Sequence, residues 1–77
     1  MSKFRIYNSG DTLPNGATVI GAREKVIHDE GIIVARWGDE YVTWAYCPSN
    51  GNTFWGHYFN SCEEAMKDYY SRCYVMN

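Results

Sequence analysis

The segment Trp55-Gly-His-Tyr-Phe59 contains the residues with the most evident capacity for chemistry. His57 is the side-chain type that titrates near neutral pH, so it could serve as a general base. Such a base requires a nucleophile or a substrate proton within hydrogen-bond reach, and the predicted strand pairing places Thr43 opposite His57 and Tyr41 diagonal to it. No carboxylate is expected near enough to orient the imidazole ring. The segment therefore indicates binding, with Trp55 as an anchor, rather than catalysis.

The other groups that could ligate a metal or react covalently are poorly arranged for it. Cysteines stand at positions 47, 62 and 73, an odd number without CxxC spacing, which argues against a disulfide framework and a zinc ribbon and favours reduced thiols. His28, Asp29 and Glu30 are consecutive, so their side chains point in different directions, as in a solvated turn. We expect neither a metal nor another cofactor, and we expect no enzymatic activity.

Length and composition restrict the class of protein. The chain has 77 residues, enough for one domain with a small core. Its net charge of -2 lacks the basic excess that is typical of nucleic-acid binding. The first ten residues lack the apolar stretch of a signal peptide, and no uninterrupted apolar run is longer than four residues, as at 32–35, which is too short to cross a membrane. These observations predict a cytoplasmic protein.

The order of turn signals and hydrophobic patterns predicts an α+β fold. Residues 1–16 form an N-terminal arm with strong turn signals. Residues 17–59 contain strand patterns joined by tight turns, which is typical of an antiparallel meander. The predicted strands are 18–24, 32–37, 40–47 and 53–59. Candidates for extending the sheet from the arm and the first strand are Phe4, Ile6, Tyr7, Val26 and Ile27.

A single helix completes the predicted fold. Ser61 and Glu64 have the spacing of a capping box, in which the serine side chain caps the first turn. Apolar residues then recur at steps of three and four. They are Cys62, Ala65, Met66, Tyr69, Tyr70, Cys73 and Met76. The expected architecture is one domain, 1–77, with a four-stranded antiparallel sheet and a C-terminal helix, 61–75, packed on one face.

The predicted register separates the two faces of the sheet. It pairs Trp37 with Glu40 and Cys47 with Thr53, and the alternation of side chains then assigns each residue to a face. The first face, to which we assign the helix, contains Ile33, Ala35, Val42, Trp44, Tyr46, Phe54 and Tyr58, with Trp44 expected to cover Gly56. The second face, expected to stay exposed, contains Ile32, Val34, Arg36, Tyr41, Thr43, Ala45, Trp55, His57 and Phe59.

This second face has the composition of a protein interface, because aromatic rings and an arginine share it. The predicted partner-binding residues are Arg36, Tyr41, Thr43, Trp55 and His57, with Asp39 and Glu40 steering a basic partner. Two other interpretations stay open at this point. Trp55 could pack beneath the arm while His57 bonds to Thr43, or the aromatic strands could stack unpaired bases of single-stranded nucleic acid.

The stretches Ala35-Arg-Trp-Gly-Asp-Glu-Tyr-Val-Thr-Trp44 and Asn52-Thr-Phe-Trp-Gly-His-Tyr-Phe59, followed by the short helix, resemble small proteins carried by phages and bacterial mobile elements. The resemblance covers residues 17–72, with 25–31 as an insertion. Small acidic single-domain proteins of this kind are similar to anti-defence inhibitors, anti-CRISPR proteins among them. This resemblance implies a protein partner in the host cytoplasm. We therefore expect a small non-enzymatic binding protein; the alternatives are a homodimeric structural protein and a module for single-stranded nucleic acid.

Overall fold

The computed structural model describes residues 7–25 and 28–76 and has the predicted α+β architecture. Four antiparallel strands follow one another along the chain in the order β1-β2-β3-β4, and one helix comes after them. The elements are β1 Thr18–Lys25, β2 Glu30–Trp37, β3 Glu40–Tyr46, β4 Thr53–Phe59 and α1 Cys62–Met76. The expectations for Phe4, Ile6, Val26 and Ile27 lie outside the described residues.

The β2–β3 hairpin confirms the predicted register. Trp37 pairs with Glu40 around a tight turn, and Ile33 lies opposite Trp44 further along the strands. Gly38 has φ 63°, a conformation that side-chain-bearing residues rarely adopt, so this turn requires the glycine. At the far end Gly31 lies opposite Tyr46 and belongs to β2 rather than to the turn before it.

The β3–β4 pairing is predicted correctly at one end and wrongly at the other. Thr43 pairs with His57, as expected, but Thr53 pairs with Tyr46 instead of Cys47. The register shifts between Thr43 and Ala45, where a bulge sets two residues of β4, Trp55 and Gly56, against one of β3. The shift moves Phe54 to the face opposite the one predicted, because it now pairs with Ala45.

Helix α1 begins where the capping signal predicts. The backbone N–H of Glu64 donates to Ser61 Oγ over 3.1 Å, which satisfies one of the unpaired donors of the first turn. Ala65, Tyr69 and Cys73 form the buried stripe of the helix, at the four-residue spacing of one helical face. Tyr70, which we also assigned to the apolar face, is exposed.

The helix covers the face of the sheet that we expected to be open, so the predicted assignment of the faces is wrong. Its buried residues pack with Ile32, Val34 and Ala45. The partly buried neighbours on that side of the sheet include Ile20, Tyr41 and Phe59. Most of the proposed docking face is therefore an internal layer between sheet and helix.

The N-terminal arm provides the physical reason for this reversal. Leu13 and Ala17 are buried against the Ile33, Val42 and Trp44 side of the sheet, which leaves only the opposite side for the helix. Val19 fixes the arm, because its N–H donates to the carbonyl of Asp11 and its carbonyl accepts from the N–H of Gly10, both over 2.8 Å. Each face of the sheet is thus covered, one by the arm and one by the helix.

Candidate functional site

A chain of polar side chains joins helix α1 to the middle of the sheet. Thr43 Oγ1 donates to Asp68 Oδ2, and His57 Nδ1 lies 3.0 Å from the same carboxylate oxygen. Arg72 Nη1 donates to Thr43 twice, to the carbonyl oxygen over 3.2 Å and to Oγ1 over 3.0 Å. These bonds allow Thr43 to be fully buried without an unsatisfied hydroxyl.

The position of Asp68 corrects the sequence analysis, in which no carboxylate was near His57. The aspartate comes from the helix, so it was placed on the wrong side of the sheet when the helix was assigned to the other face. The usable sequence signal is its spacing, because Asp68 and Arg72 are four residues apart and share a helical face. That face flanks the apolar stripe and must meet the polar residues of the sheet beneath it.

A groove of about 650 Å³ opens beside this polar chain, between α1 and one end of strands β2, β3 and β4. Its walls are mainly apolar, and its polar groups come from the strand ends and the helix. The lining residues are Glu30, Gly31, Ile32, Ala45, Tyr46, Phe54, Trp55, His57, Asp68, Ser71, Arg72 and Val75. The size and the mixture of apolar walls with a few converging polar groups are typical of binding sites.

Trp55 is the most unusual residue of the groove. Its side chain is 75% exposed and packs edge-on against Phe54, with ring centroids 5.0 Å apart. Its backbone has φ 55°, a left-handed conformation that is rare for a large side chain. The next residue is Gly56, where an added Cβ would come within 2.8 Å of Trp44 Nε1, so the predicted cover of Gly56 by Trp44 is confirmed.

The structure brings together only part of the predicted binding set. Trp55 and His57 line the groove, and Thr43 lies beneath it without access to solvent. Tyr41 is half-buried under the helix layer, which removes it as an exposed anchor.

The charged members of the predicted set lie elsewhere. Arg36 is exposed near the β2–β3 turn, where its Nε donates to the carbonyl of Gly38 over 3.3 Å. Asp39 and Glu40 belong to the same turn, at the end of the sheet away from the groove. The alternative in which Trp55 packs beneath the arm and His57 bonds to Thr43 is also wrong, because Trp55 is exposed and the His57 side chain contacts Asp68.

Burial and neighbouring charges set the electrostatics of the helix–sheet layer. Desolvation lowers the pKa of the Arg72 guanidinium, and the nearby Asp68 carboxylate acts in the opposite direction. Desolvation also raises the pKa of the Cys73 thiol and raises the pKa of Tyr69 to about 12. Arg72 therefore carries a charge that the layer tolerates because Asp68 and the oxygens of Thr43 face it.

Two further observations concern other classes of site. Within residues 7–25 and 28–76, no three His, Cys, Asp or Glu side chains are grouped so that they could hold a metal ion. The helix in this part of the chain is too short and too polar to cross a membrane.

No family model, no curated protein and no solved structure matches this chain.

Proposed function

We propose that the chain is a small non-enzymatic protein that binds a protein partner through the groove and the ring of Trp55. The single observation that carries the proposal is the conformation of Trp55, which combines a left-handed backbone with a largely exposed indole. The proposed binding surface is the edge of the sheet and the flank of the helix, and not the open sheet face expected from the sequence.

The conformation of Trp55 matters because it opposes stability. A residue other than glycine costs about 1–3 kcal/mol in such a backbone region, and residues of this kind concentrate at functional sites. Exposure of a large ring gives up apolar burial that a small domain needs. Tryptophan is one of the residue types, with tyrosine and arginine, that are enriched among the residues that dominate the energy of protein interfaces.

The arrangement around His57 supports binding more than catalysis. An aspartate–histidine pair can activate a hydroxyl nucleophile when the hydroxyl faces the free ring nitrogen. Here the hydroxyl of Thr43 is buried and donates to Asp68, so it is directed at the carboxylate. The pair and Arg72 together tie the helix to the sheet beside the groove.

The resemblance to anti-defence inhibitors of phages supports a surface of a larger host complex, in the host cytoplasm, as the partner. Small inhibitors of that kind work by occluding a surface, for which a groove with an aromatic anchor is suitable. The charge of the chain, -2, also fits a protein surface better than a phosphate backbone.

The test is quantitative capture of partners from host lysate by wild type, Trp55→Gly and a matched control, Tyr74→Ala. Tyr74 is 81% exposed and is absent from the residues that line the groove, so the control removes an aromatic ring of similar exposure elsewhere. We expect Trp55→Gly to lose the partner that wild type and Tyr74→Ala retain. Equal recovery by all three folded proteins, or dependence on Tyr74 alone, would contradict the proposed surface.

A further inference from the structure

Strand β4 is the edge of the sheet that differs from a protected edge. It comes last in the order β1-β2-β3-β4, so one side of its backbone has no strand beside it in the described part of the chain. At the other edge, the arm bonds to Val19 of β1, and the charged residues Arg23, Glu24 and Lys25 follow. Covering segments and charges are the usual protection of an edge strand against pairing with another chain. Strand β4, Thr-Phe-Trp-Gly-His-Tyr-Phe, contains no Asp, Glu, Lys or Arg.

The tight β2–β3 turn fixes the direction of the backbone groups along β3. Glu40 directly follows the two turn residues, so its N–H faces back toward β2, as across a β-turn. Backbone groups alternate between the two neighbouring strands, so those of Thr43 and Ala45 face β4. The N–H of Cys47, two residues further on, does donate to the carbonyl of Asn52 on the β4 side, over 3.1 Å.

The same alternation identifies the backbone groups of β4 that point outward. Thr43 lies opposite His57 and Ala45 lies opposite Phe54, so these two residues of β4 use their N–H and C=O within the sheet. Thr53 and Tyr58, which are next to them in the chain, therefore direct their N–H and C=O to the outside. The bulge lies between Thr53 and Tyr58. It puts these two outward-facing residues at an odd separation, which a regular strand would not allow.

A second copy of β4 running antiparallel fits this edge in one long register. Outward groups must meet outward groups, so Thr53 of one copy lies opposite Tyr58 of the other, and the two-fold symmetry repeats the pair. The same register sets Phe54 opposite His57. Each pair also lies on one side of the sheet, because Thr53 and Tyr58 share the arm side while Phe54 and His57 share the helix side.

The side chains along this edge favour such pairing. Phe54 is 37% exposed and Tyr58 is 53% exposed, and a neighbouring strand would cover part of each ring. Identical strands that carry charges can oppose like charges across the axis, but β4 has none of the four charged residue types. We propose that the protein forms a two-fold dimer in which β4 pairs with β4 of a second copy and the sheet continues from one copy into the other.

This dimer goes beyond the proposed function and is compatible with it. Antiparallel pairing within one continuous sheet requires a two-fold axis perpendicular to the sheet, and the register places that axis at the bulge, between Trp55 and Gly56. Rotation about such an axis keeps each face on its own side. Both helices and both grooves therefore lie on the same side of the dimer.

Sedimentation velocity from about 10 µM to about 1 mM protein tests the dimer, with the mass expected to rise from one copy to two. Thr53→Pro removes an outward N–H at the first position of β4, where proline is tolerated in an edge strand, and Thr53→Ala is the matched control that keeps this N–H. We expect a dissociation constant at least about tenfold higher for Thr53→Pro than for Thr53→Ala, because symmetry removes the bond twice.

Amide exchange in wild type locates the contact and keeps the test valid if Thr53→Pro unfolds. We expect the N–H of Tyr58 to exchange more slowly as the protein concentration rises, and the N–H of His57, which faces β3, to be protected at every concentration. A strict monomer at the highest concentration, a Thr53→Pro dimer as tight as that of Thr53→Ala, or a dimer with Tyr58 N–H unprotected would overturn the proposal. Thr53 does not line the groove, so partner capture that depends on Trp55 would still support the proposed function.

Discussion

Trp55 shows at the scale of one residue how the chain departs from its most stable form. Glycine is the residue that populates left-handed backbone regions freely, and here it occupies the next position, where the ring of Trp44 approaches. The bulge therefore places a large side chain at the strained position and the glycine at the crowded one. Exchanging the side chain at position 55 separates the backbone strain from the contribution of the ring.

The comparison of Trp55→Gly with Trp55→Ala isolates that strain, because both variants lack the indole. We expect Trp55→Gly to be more stable by about 1 kcal/mol, since alanine keeps a Cβ in the left-handed region. Urea unfolding measures the two free energies of unfolding under the same conditions. A more stable Trp55→Ala would mean that φ at position 55 relaxes to an ordinary value.

Gly31 has a different requirement, which is space. A Cβ at this position would lie 2.4 Å from Cζ of Tyr46, whose ring covers the glycine from the opposite strand. Gly21 is the matched control, because its Cβ would meet Tyr69 Oη at 3.6 Å, an ordinary contact. Neither glycine has a left-handed φ.

We expect Gly31→Ala to lower the free energy of unfolding by about 1–3 kcal/mol, as overpacking does, and Gly21→Ala to change it by less than about 1 kcal/mol. Thermal or urea unfolding of the two variants measures the difference. Equal effects would show that Tyr46 moves aside without loss. In that case the hydroxyl of Tyr46 would also lose its hydrogen bond to Glu24, to which it donates over 2.8 Å.

At the scale of elements, the sequence predicts the type and order of the elements better than their packing. Strand β4 begins and ends where its pattern predicts, and the helix follows the capping signal of Ser61. These features are local, because they depend on alternation, turn residues and hydrogen bonds within one turn. They needed no knowledge of distant parts of the chain.

The choice of the face under the helix could not be predicted in the same way, because both faces of the sheet are apolar enough to be buried. Two facts outside the strands decide it. The arm takes the face of Val42 through Leu13, and the helix brings Asp68 to the polar Thr43 on the other face. The groove escaped prediction for a related reason, because the bulge at Trp55 shifts Phe54 onto the helix side.

Tyr69 gives the helix–sheet layer a dependence on alkaline pH. Burial is the main cause that raises its pKa to about 12, and Cys73 adds to the shift. The phenol ionises near pH 10 in the unfolded chain but stays neutral in the folded one, so stability that is present below about pH 10 falls as the pH approaches about 12. As the pH rises, the Tyr69 phenol loses its proton in the unfolded state at a lower pH than in the folded state. This difference shifts the folding equilibrium toward the unfolded state.

We expect Tyr69→Phe to show a shallower loss of stability over this range than wild type, with a remainder from Cys73, whose thiol pKa burial also raises. Tyr70→Phe is the control, because it removes a phenol from the solvent side of the same helix. Urea unfolding at several pH values between 9 and 12 measures the slopes. The prediction fails if Tyr69→Phe and Tyr70→Phe lose stability in parallel.

At the scale of the whole molecule, the sheet has two apolar faces and two separate covers. The helix contributes a stripe of three buried residues, Ala65, Tyr69 and Cys73. The arm contributes Leu13, with Ala17 directly after it, and its bonds to Val19 also occupy part of the outer edge of β1. The opposite edge, β4, carries the exposed rings and the groove. One edge of the sheet is thus covered by the arm, and the opposite edge is exposed.

Leu13 tests whether the arm is a structural cover or a dispensable appendage. Its side chain is 3% exposed, within a cluster that includes Ile33 and Trp44. Leu13→Ala should lower the free energy of unfolding by about 2–4 kcal/mol, because it removes buried methyl groups and leaves a cavity. That loss is a large part of the total stability of about 5–15 kcal/mol that small proteins have.

Val75→Ala provides the contrast, because Val75 is 77% exposed at the far end of the helix and should change stability by less than about 0.5 kcal/mol. Circular dichroism during urea unfolding gives both values, and amide exchange locates the effect. If the arm is a true cover, exchange in Leu13→Ala rises in β2 and β3 as well as in the arm, because the sheet loses one of its two layers. A rise confined to residues 7–17 would mean that the sheet and helix fold without the arm, and that the Val42 face is stable in water.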